Sequence, residues 1–216
     1  MFGQVETYVE KDCEICSFSS NAEEQCALRR KELFADKERK EGLQAKWTAT
    51  VERAAGEEEI RRTSKAMMET LGRSVGEYVE KDGTLSAAGE EELKRVEQFL
   101  RFVRGMSGLT SGELAQGLVL LERVVEWDIA EKAEQRTGSV AISTVGTLLL
   151  CCVVVAEKMN RDRPLSNGAF SRSLGLECSV LNASERIFLG CVGHRCVVEA
   201  EEFWEECHRV FGWDCA

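Results

Sequence analysis

The chain has 216 residues, of which 44% are hydrophobic and 31% are charged, a composition typical of globular rather than disordered proteins. Its formal net charge of −10 argues against nucleic acid as the main partner, because phosphate binding requires clustered lysine and arginine. The beginning, MFGQVETYVEKDCEIC, has neither the basic region nor the apolar core of a signal peptide. We therefore expect an intracellular protein, in the cytoplasm, the nucleus or both.

The N-terminal part is dominated by charge. Residues 22–62 carry many acidic and basic side chains and few apolar ones, so we interpret residues 1–62 as a charged extension that is helical in part. It contains Cys13, Cys16 and Cys26, but zinc needs four ligands and no fourth lies within normal spacing. A zinc site would require a distant ligand, and reduced thiols without metal are the simpler interpretation.

Helical periodicity strengthens from residue 60 onward. The first apolar stripe runs from Ile60 to Val79, with Gly83 as a candidate C-cap. A second stripe covers 93–103, and a third covers 114–125 with Thr110 or Ser111 as its N-cap and Glu113 in its first turn. Each stripe predicts a helix with one buried face.

The segment 140–159 is apolar nearly all round, which predicts a helix surrounded by other helices. Its apolar centre, VGTLLLCCVVVA (145–156), is too short to span a bilayer, so we expect no membrane partner. Beyond the linker 160–167 we predict a short helix ending at Gly175 and a helix capped by Ser179. A last stripe lies at 203–211, and no useful segment alternates with period two. The prediction is an all-α fold with about five packed helices in 90–195 and one helix on each side.

Catalytic motifs are missing from the sequence. His194 lies near Cys191 and Cys196, but a Cys–His dyad there would lack an orienting third group, and His208 has no companion motif. There is no phosphate loop, dinucleotide fingerprint or carboxylate pair. We therefore predict a binding protein rather than an enzyme, with no cofactor and no metal.

Recognition of a protein partner is suggested by residues 156–198. They contain KMNRDRPLSN (158–167), GLECS (175–179) and a helix with Asn182, Glu185, Phe188 and Leu189 at fixed spacing. This pattern resembles the second half of a cyclin box, in the form seen in phosphate-system (P/U-type) cyclins. The segments 65–83, 91–108 and 110–126 resemble the helices that precede it, so the resemblance covers roughly 65–212.

The resemblance implies a fold and a function. The fold would be a single cyclin-box domain over 63–216, with its core at about 90–198: a five-helix bundle around a central apolar helix with flanking helices. The function would be that of a regulatory subunit that forms a heterodimer with a cyclin-dependent protein kinase and activates it allosterically. It would regulate the cell cycle and cell division, or a nutrient response. The alternative is a cyclin-fold adaptor or scaffold that binds a partner without activating a kinase.

Site residues follow from the resemblance by position. In cyclins a lysine on the third helix and a glutamate on the fifth form a polar pair on the kinase-binding face, and the matching residues here are Lys158 and Glu185. An apolar pocket beside the pair would be lined by the matching positions Val155, Met159, Leu189, His194 and Cys196. Without the resemblance, Lys158 and Glu185 could equally form an ordinary salt bridge between helices.

Overall fold

Seven α-helices build the domain, and no β-strand forms within residues 55–134 and 140–213, the parts of the chain that the computed structural model describes. All of them belong to one unit that spans residues 46–216. This confirms the all-α prediction. In chain order the helices are α1 (Glu57–Gly72), α2 (Ala87–Ser107), α3 (Ser111–Ala133), α4 (Val145–Asn160), α5 (Asn167–Leu174), α6 (Cys178–Cys191) and α7 (Ala200–Phe211), with 3₁₀ turns at Gly76–Tyr78 and Ile142–Thr144.

Several predictions from the sequence concern residues outside the described part of the chain. Most of the predicted charged extension, with Cys13, Cys16 and Cys26, lies outside the described residues. The predicted extension ends at residue 62, whereas α1 already begins at Glu57. Residues 57–62 therefore belong both to the predicted extension and to the first helix. The extension and the cysteine interpretation therefore stay predictions.

Capping residues determine the helix ends that were predicted correctly from the sequence. The hydroxyl of Thr110 accepts a hydrogen bond from the Glu113 backbone at 3.2 Å, and the Glu113 carboxylate accepts one from the Thr110 backbone at 2.8 Å. This reciprocal capping box selects Thr110 over Ser111 as the N-cap of α3. Gly175 ends α5 in the left-handed conformation with φ of 67°, as predicted.

Two predicted caps were wrong. Helix α1 ends at Gly72, and Gly83 instead lies in a turn, with φ of 84°, between Val79 and Leu85, which form an isolated β-bridge. The apolar stripe nevertheless continues in the sequence, because Tyr78 is buried from a 3₁₀ turn rather than from an α-helix. At the start of α6 the N-cap is Glu177, whose carbonyl accepts the first helical hydrogen bonds, so Ser179 already lies inside the first turn.

The helix with the most neighbours is α3, which packs against α1, α4, α6 and α7, whereas the more apolar α4 packs against α3 and α6. The 140–159 segment was expected to be the central helix; residues 149–157 are buried on every side of α4, while α3 has more neighbouring helices. Helix α3 contains Gly117, where a Cβ atom would lie 3.8 Å from the Cys152 carbonyl oxygen of α4. A small residue at this position permits the close approach of the two helices.

Ile142–Asn160 is the one stretch of the described residues that is long and apolar enough, by length and composition, to cross a membrane. It is longer than the 12-residue apolar core used for the sequence prediction because the helical conformation extends on both sides of that core. More than half of this stretch is buried inside the domain. A buried core helix satisfies the same criterion as a membrane span.

Asp128 ties the end of α3 to two loops. It is fully buried; its Oδ1 accepts the Val140 N–H at 2.9 Å, while its Oδ2 accepts the Ser74 hydroxyl and lies 2.6 Å from Lys132 Nζ. Burial alone would raise the pKa of Asp128, but the hydrogen bonds from Lys132, Ser74 and Val140 outweigh it and lower the pKa.

This arrangement predicts that the free energy of unfolding decreases at acid pH, which we call the acid limb of its pH dependence. Because the folded-state pKa of Asp128 is lowered, its stabilisation is present above the unfolded-state pKa of about 3.9 and is lost as the pH falls through the folded value. We expect Asp128→Asn to lower the free energy of unfolding by about 1–3 kcal/mol at pH 7 and to flatten this limb. Urea denaturation between pH 3 and 7 measures both effects. Asp162→Asn, at an exposed linker position, is the control, and an unchanged acid limb in Asp128→Asn would contradict the prediction.

Candidate protein-binding site at the α4–α6 junction

An ion pair joins the end of α4 to the middle of α6. Lys158, in the last turn of α4, places its Nζ 2.6 Å from Glu185 Oε1 and 2.8 Å from Oε2. The ammonium group thus faces both carboxylate oxygens. Charge-assisted contacts of this kind are shorter and stronger than neutral hydrogen bonds.

Asn167, the first residue of α5, adds a third helix to this junction. Its Nδ2 donates to Glu185 Oε2 at 2.6 Å and to Asn182 Oδ1 at 2.8 Å. Sequence reasoning did not assign Asn167 to the site. The available signal was weak: Asn182 and Glu185 are three residues apart, which places them on one side of α6, where an amide donor would fit.

The pair remains accessible from outside the domain. The side chains of Lys158 and Glu185 are 32% and 15% exposed, and the neighbouring Met159 is 45% exposed. Leu189, four residues after Glu185 on α6, is half-buried. The junction therefore offers partly desolvated charges beside apolar side chains, a combination suited to protein recognition.

The other predicted pocket residues lie at different depths. Val155 and Cys196 are only 3% and 8% exposed, so little of either residue is open to a partner. His194 is exposed; its backbone N–H donates to the Leu189 carbonyl at 2.8 Å and it adopts a left-handed φ of 57°. A role of these residues in binding a partner stays a prediction.

A buried cluster fixes the C-terminal end of α4 and hence the position of Lys158. Arg161 places Nε 2.5 Å and Nη2 2.7 Å from the two carboxylate oxygens of Glu113, and its Nη1 donates to the Ser107 carbonyl at 2.6 Å. Glu157 lies 3.2 Å from the same guanidinium and accepts the Leu165 N–H at 3.0 Å. Burial raises the pKa of Glu157. The pKa of Arg161 is also raised, in this case by its hydrogen bonds to Glu113. Helices α2, α3 and α4 and the α4–α5 linker are thereby joined.

The charges of Lys158 and Glu185 affect the pKa of a buried thiol, Cys151. Burial raises the pKa of Cys151 to about 12, and the negative charge of Glu185 adds to this effect while Lys158 opposes it. Burial also raises the pKa of Cys196, which disfavours the thiolate that a Cys–His dyad would need.

We expect Cys151 to resist alkylation in the native protein at pH 8, because its thiol is 1% exposed and its pKa is far above that pH. The exposed Cys178 serves as the internal control and should react under the same conditions. Iodoacetamide labelling followed by peptide mass spectrometry distinguishes the two positions. Equal labelling of Cys151 and Cys178 in the folded protein would contradict the prediction.

Elsewhere, residues 55–134 and 140–213 contain no group of three or more histidine, cysteine or acidic side chains that could hold a metal ion. A cavity of about 490 Å³ lies between α1, α3 and α7, away from the ion pair. Its charged lining is largely paired internally: Glu122 and Glu206 both contact Arg209, and Glu202 contacts Arg123.

Comparison with known proteins identifies no relative: no protein-family model, no curated protein and no solved structure matches the chain. The functional interpretation therefore depends on the residues and geometry of this chain. The cyclin resemblance of residues 156–198 stays a prediction.

Proposed function

We propose that the protein is a cyclin-like regulatory subunit that binds a cyclin-dependent protein kinase at the α4–α6 junction and activates it. The observation that carries the proposal is the half-exposed ion pair of Lys158 and Glu185, held where α4, α5 and α6 meet. Its place would be the cytoplasm or the nucleus, in the control of cell division or of a nutrient response.

The hydrogen-bonding capacity of the pair supports this role. Lys158 Nζ carries three protons, and within the described residues both of its contacts go to Glu185. The remaining proton of Lys158 can be donated to a backbone carbonyl of a partner helix, and the Glu185 carboxylate can accept hydrogen bonds from its N–H groups. Once a partner excludes water, such contacts become strong enough to act as an affinity anchor.

The order of the helices is also consistent with the proposal. Helices α2 to α6 follow one another with α1 and α7 on either side, so Lys158 lies on the third and Glu185 on the fifth helix of this group. These are the helices on which the cyclin resemblance expects the two charges. Apolar side chains around Met159 would receive the apolar residues of the kinase helix.

Activation would be allosteric, with no catalytic group supplied by this protein. Binding would favour the kinase conformation in which the regulatory helix packs inward and its glutamate meets the ATP-anchoring lysine. The free energy of binding would thus shift the kinase population toward its active state.

The proposal is tested by mixing the purified full chain with the cyclin-dependent kinases of its organism. We expect a one-to-one complex with one of them in size-exclusion chromatography and an increase in its phosphoryl-transfer rate. A stable complex without an increase in rate would favour the adaptor alternative. Failure to form a complex with any of these kinases would remove the proposal.

A further inference from the structure

Arginines with an ion pair and arginines without one lie in different parts of the described chain. In the described ranges nine arginines form ion pairs: Arg61, Arg62, Arg73, Arg95, Arg101, Arg104, Arg123, Arg161 and Arg209. Among the described residues, the guanidinium groups of the remaining four form no ion pair or hydrogen bond, and all four follow α4: Arg163, Arg172, Arg186 and Arg195. Within the described residues, the unpaired arginines of this chain of net charge −10 therefore all lie between the α4–α5 linker and the segment after α6.

The same region carries an exposed apolar stripe on α6. Val180 is 52% exposed and Ile187 is 64% exposed; they are seven residues apart and therefore lie on one face of the helix. Ala183 is exposed between them, and Leu176, 45% exposed, precedes the first turn. An apolar stripe of this length along one helix matches the contact face of another helix.

This stripe is separate from the ion pair. At 3.6 residues per turn, Ile187 lies about 200° around α6 from Glu185. Arg186 borders the stripe on one side, and Arg172 lies on α5, which packs against α6. A partner on this face would leave Lys158 and Glu185 open, so the inference goes beyond the proposed function and does not depend on it.

We infer that the outer face of α6, with Arg186 at its edge and Arg172 on the neighbouring helix α5, docks an acidic amphipathic helix of a protein partner. Leucine-type side chains of that helix would cover Val180 and Ile187, and its flanking carboxylates would pair with the two guanidinium groups. Arginine suits this task because its planar fork binds carboxylates in bidentate geometry.

Charge and shape favour a protein helix over other occupants. Membrane surfaces are typically recognised by larger clusters of about 4–8 basic residues, and nucleic acid requires a broader basic surface than one stripe on an acidic chain offers. An acidic helix satisfies both the apolar stripe and the unpaired guanidinium groups.

The test uses the full chain and two synthetic helical peptides that share a leucine stripe and differ only in flanking glutamate or lysine. We expect the glutamate peptide to bind at least tenfold more tightly, measured by fluorescence anisotropy. Arg172→Glu/Arg186→Glu should reverse this order, whereas Lys94→Glu, at an exposed site on α2, should preserve it. Ile187→Ser should weaken binding of both peptides, and Lys158→Ala/Glu185→Ala should leave it unchanged.

Several results would overturn the inference. Equal affinity for the two peptides, no measurable binding of either, or an unchanged order in Arg172→Glu/Arg186→Glu would each remove it. Binding to phosphatidylserine vesicles without binding to the glutamate peptide would assign the face to a membrane instead. A dimer in sedimentation equilibrium that Ile187→Ser dissociates would assign the face to a second copy of the chain.

Discussion

Replacing Arg161 with alanine is expected to lower the free energy of unfolding by about 3–5 kcal/mol, because it leaves a buried charge without its partner. Glu113 has a fully buried side chain, and Arg161 contacts both of its carboxylate oxygens. The same guanidinium also forms an ion pair with Glu157 and donates a hydrogen bond to the Ser107 carbonyl. One substitution therefore breaks the links among α2, α3 and α4.

Urea denaturation of the two variants Arg161→Ala and Arg163→Ala provides a matched comparison. Arg163 is exposed and its guanidinium forms no ion pair with any described residue, so its loss should change stability by no more than about 0.5 kcal/mol. Replacing both partners, as Arg161→Met with Glu113→Met, should cost less than Arg161→Ala alone, since no buried charge is left unpaired. A cost below about 1 kcal/mol for Arg161→Ala would contradict the prediction, because a pair worth so little behaves as an exposed one.

Local sequence patterns determined the parts of the fold that could be predicted. Thr110 and Glu113 form a capping box from adjacent residues, and Gly175 needs only its own positive φ to end α5. The end of α1 was missed because Tyr78 keeps the apolar spacing while the backbone changes to a 3₁₀ turn and a β-bridge. Periodicity reports which side chains are buried, not which backbone conformation buries them.

Contacts between distant residues limited the prediction of the site. Lys158 and Glu185 were identified through the cyclin resemblance, and the structure brings them within 2.6 Å. The contribution of Asn167 depends on how the linker places the first turn of α5, which no spacing rule specifies. Val155 and Cys196 matched by position, but their burial depends on the packing of α4 against α3 and on the segment that follows α6. Depth below a surface is a property of tertiary packing.

For the proposed kinase complex, Glu185→Ala is expected to weaken binding by about 2–5 kcal/mol, a factor of about 30 to 5,000 in Kd. The substitution leaves the Lys158 ammonium and the Asn167 amide without their shared acceptor. Lys158→Ala should have a smaller effect, because Glu185 then keeps the hydrogen bond from Asn167. The double variant should resemble Glu185→Ala, since the two residues act as one unit.

Isothermal titration of each variant against the kinase measures these differences, with Lys94→Ala on α2 as an exposed control of the same residue type. Urea denaturation of the same proteins separates binding from folding: the half-exposed pair should contribute about 0–1 kcal/mol to the free energy of unfolding. A Kd that stays constant across all variants would identify an ordinary salt bridge between helices. A large loss of affinity with little loss of stability requires that the charges act on the partner, because within the domain they compensate each other.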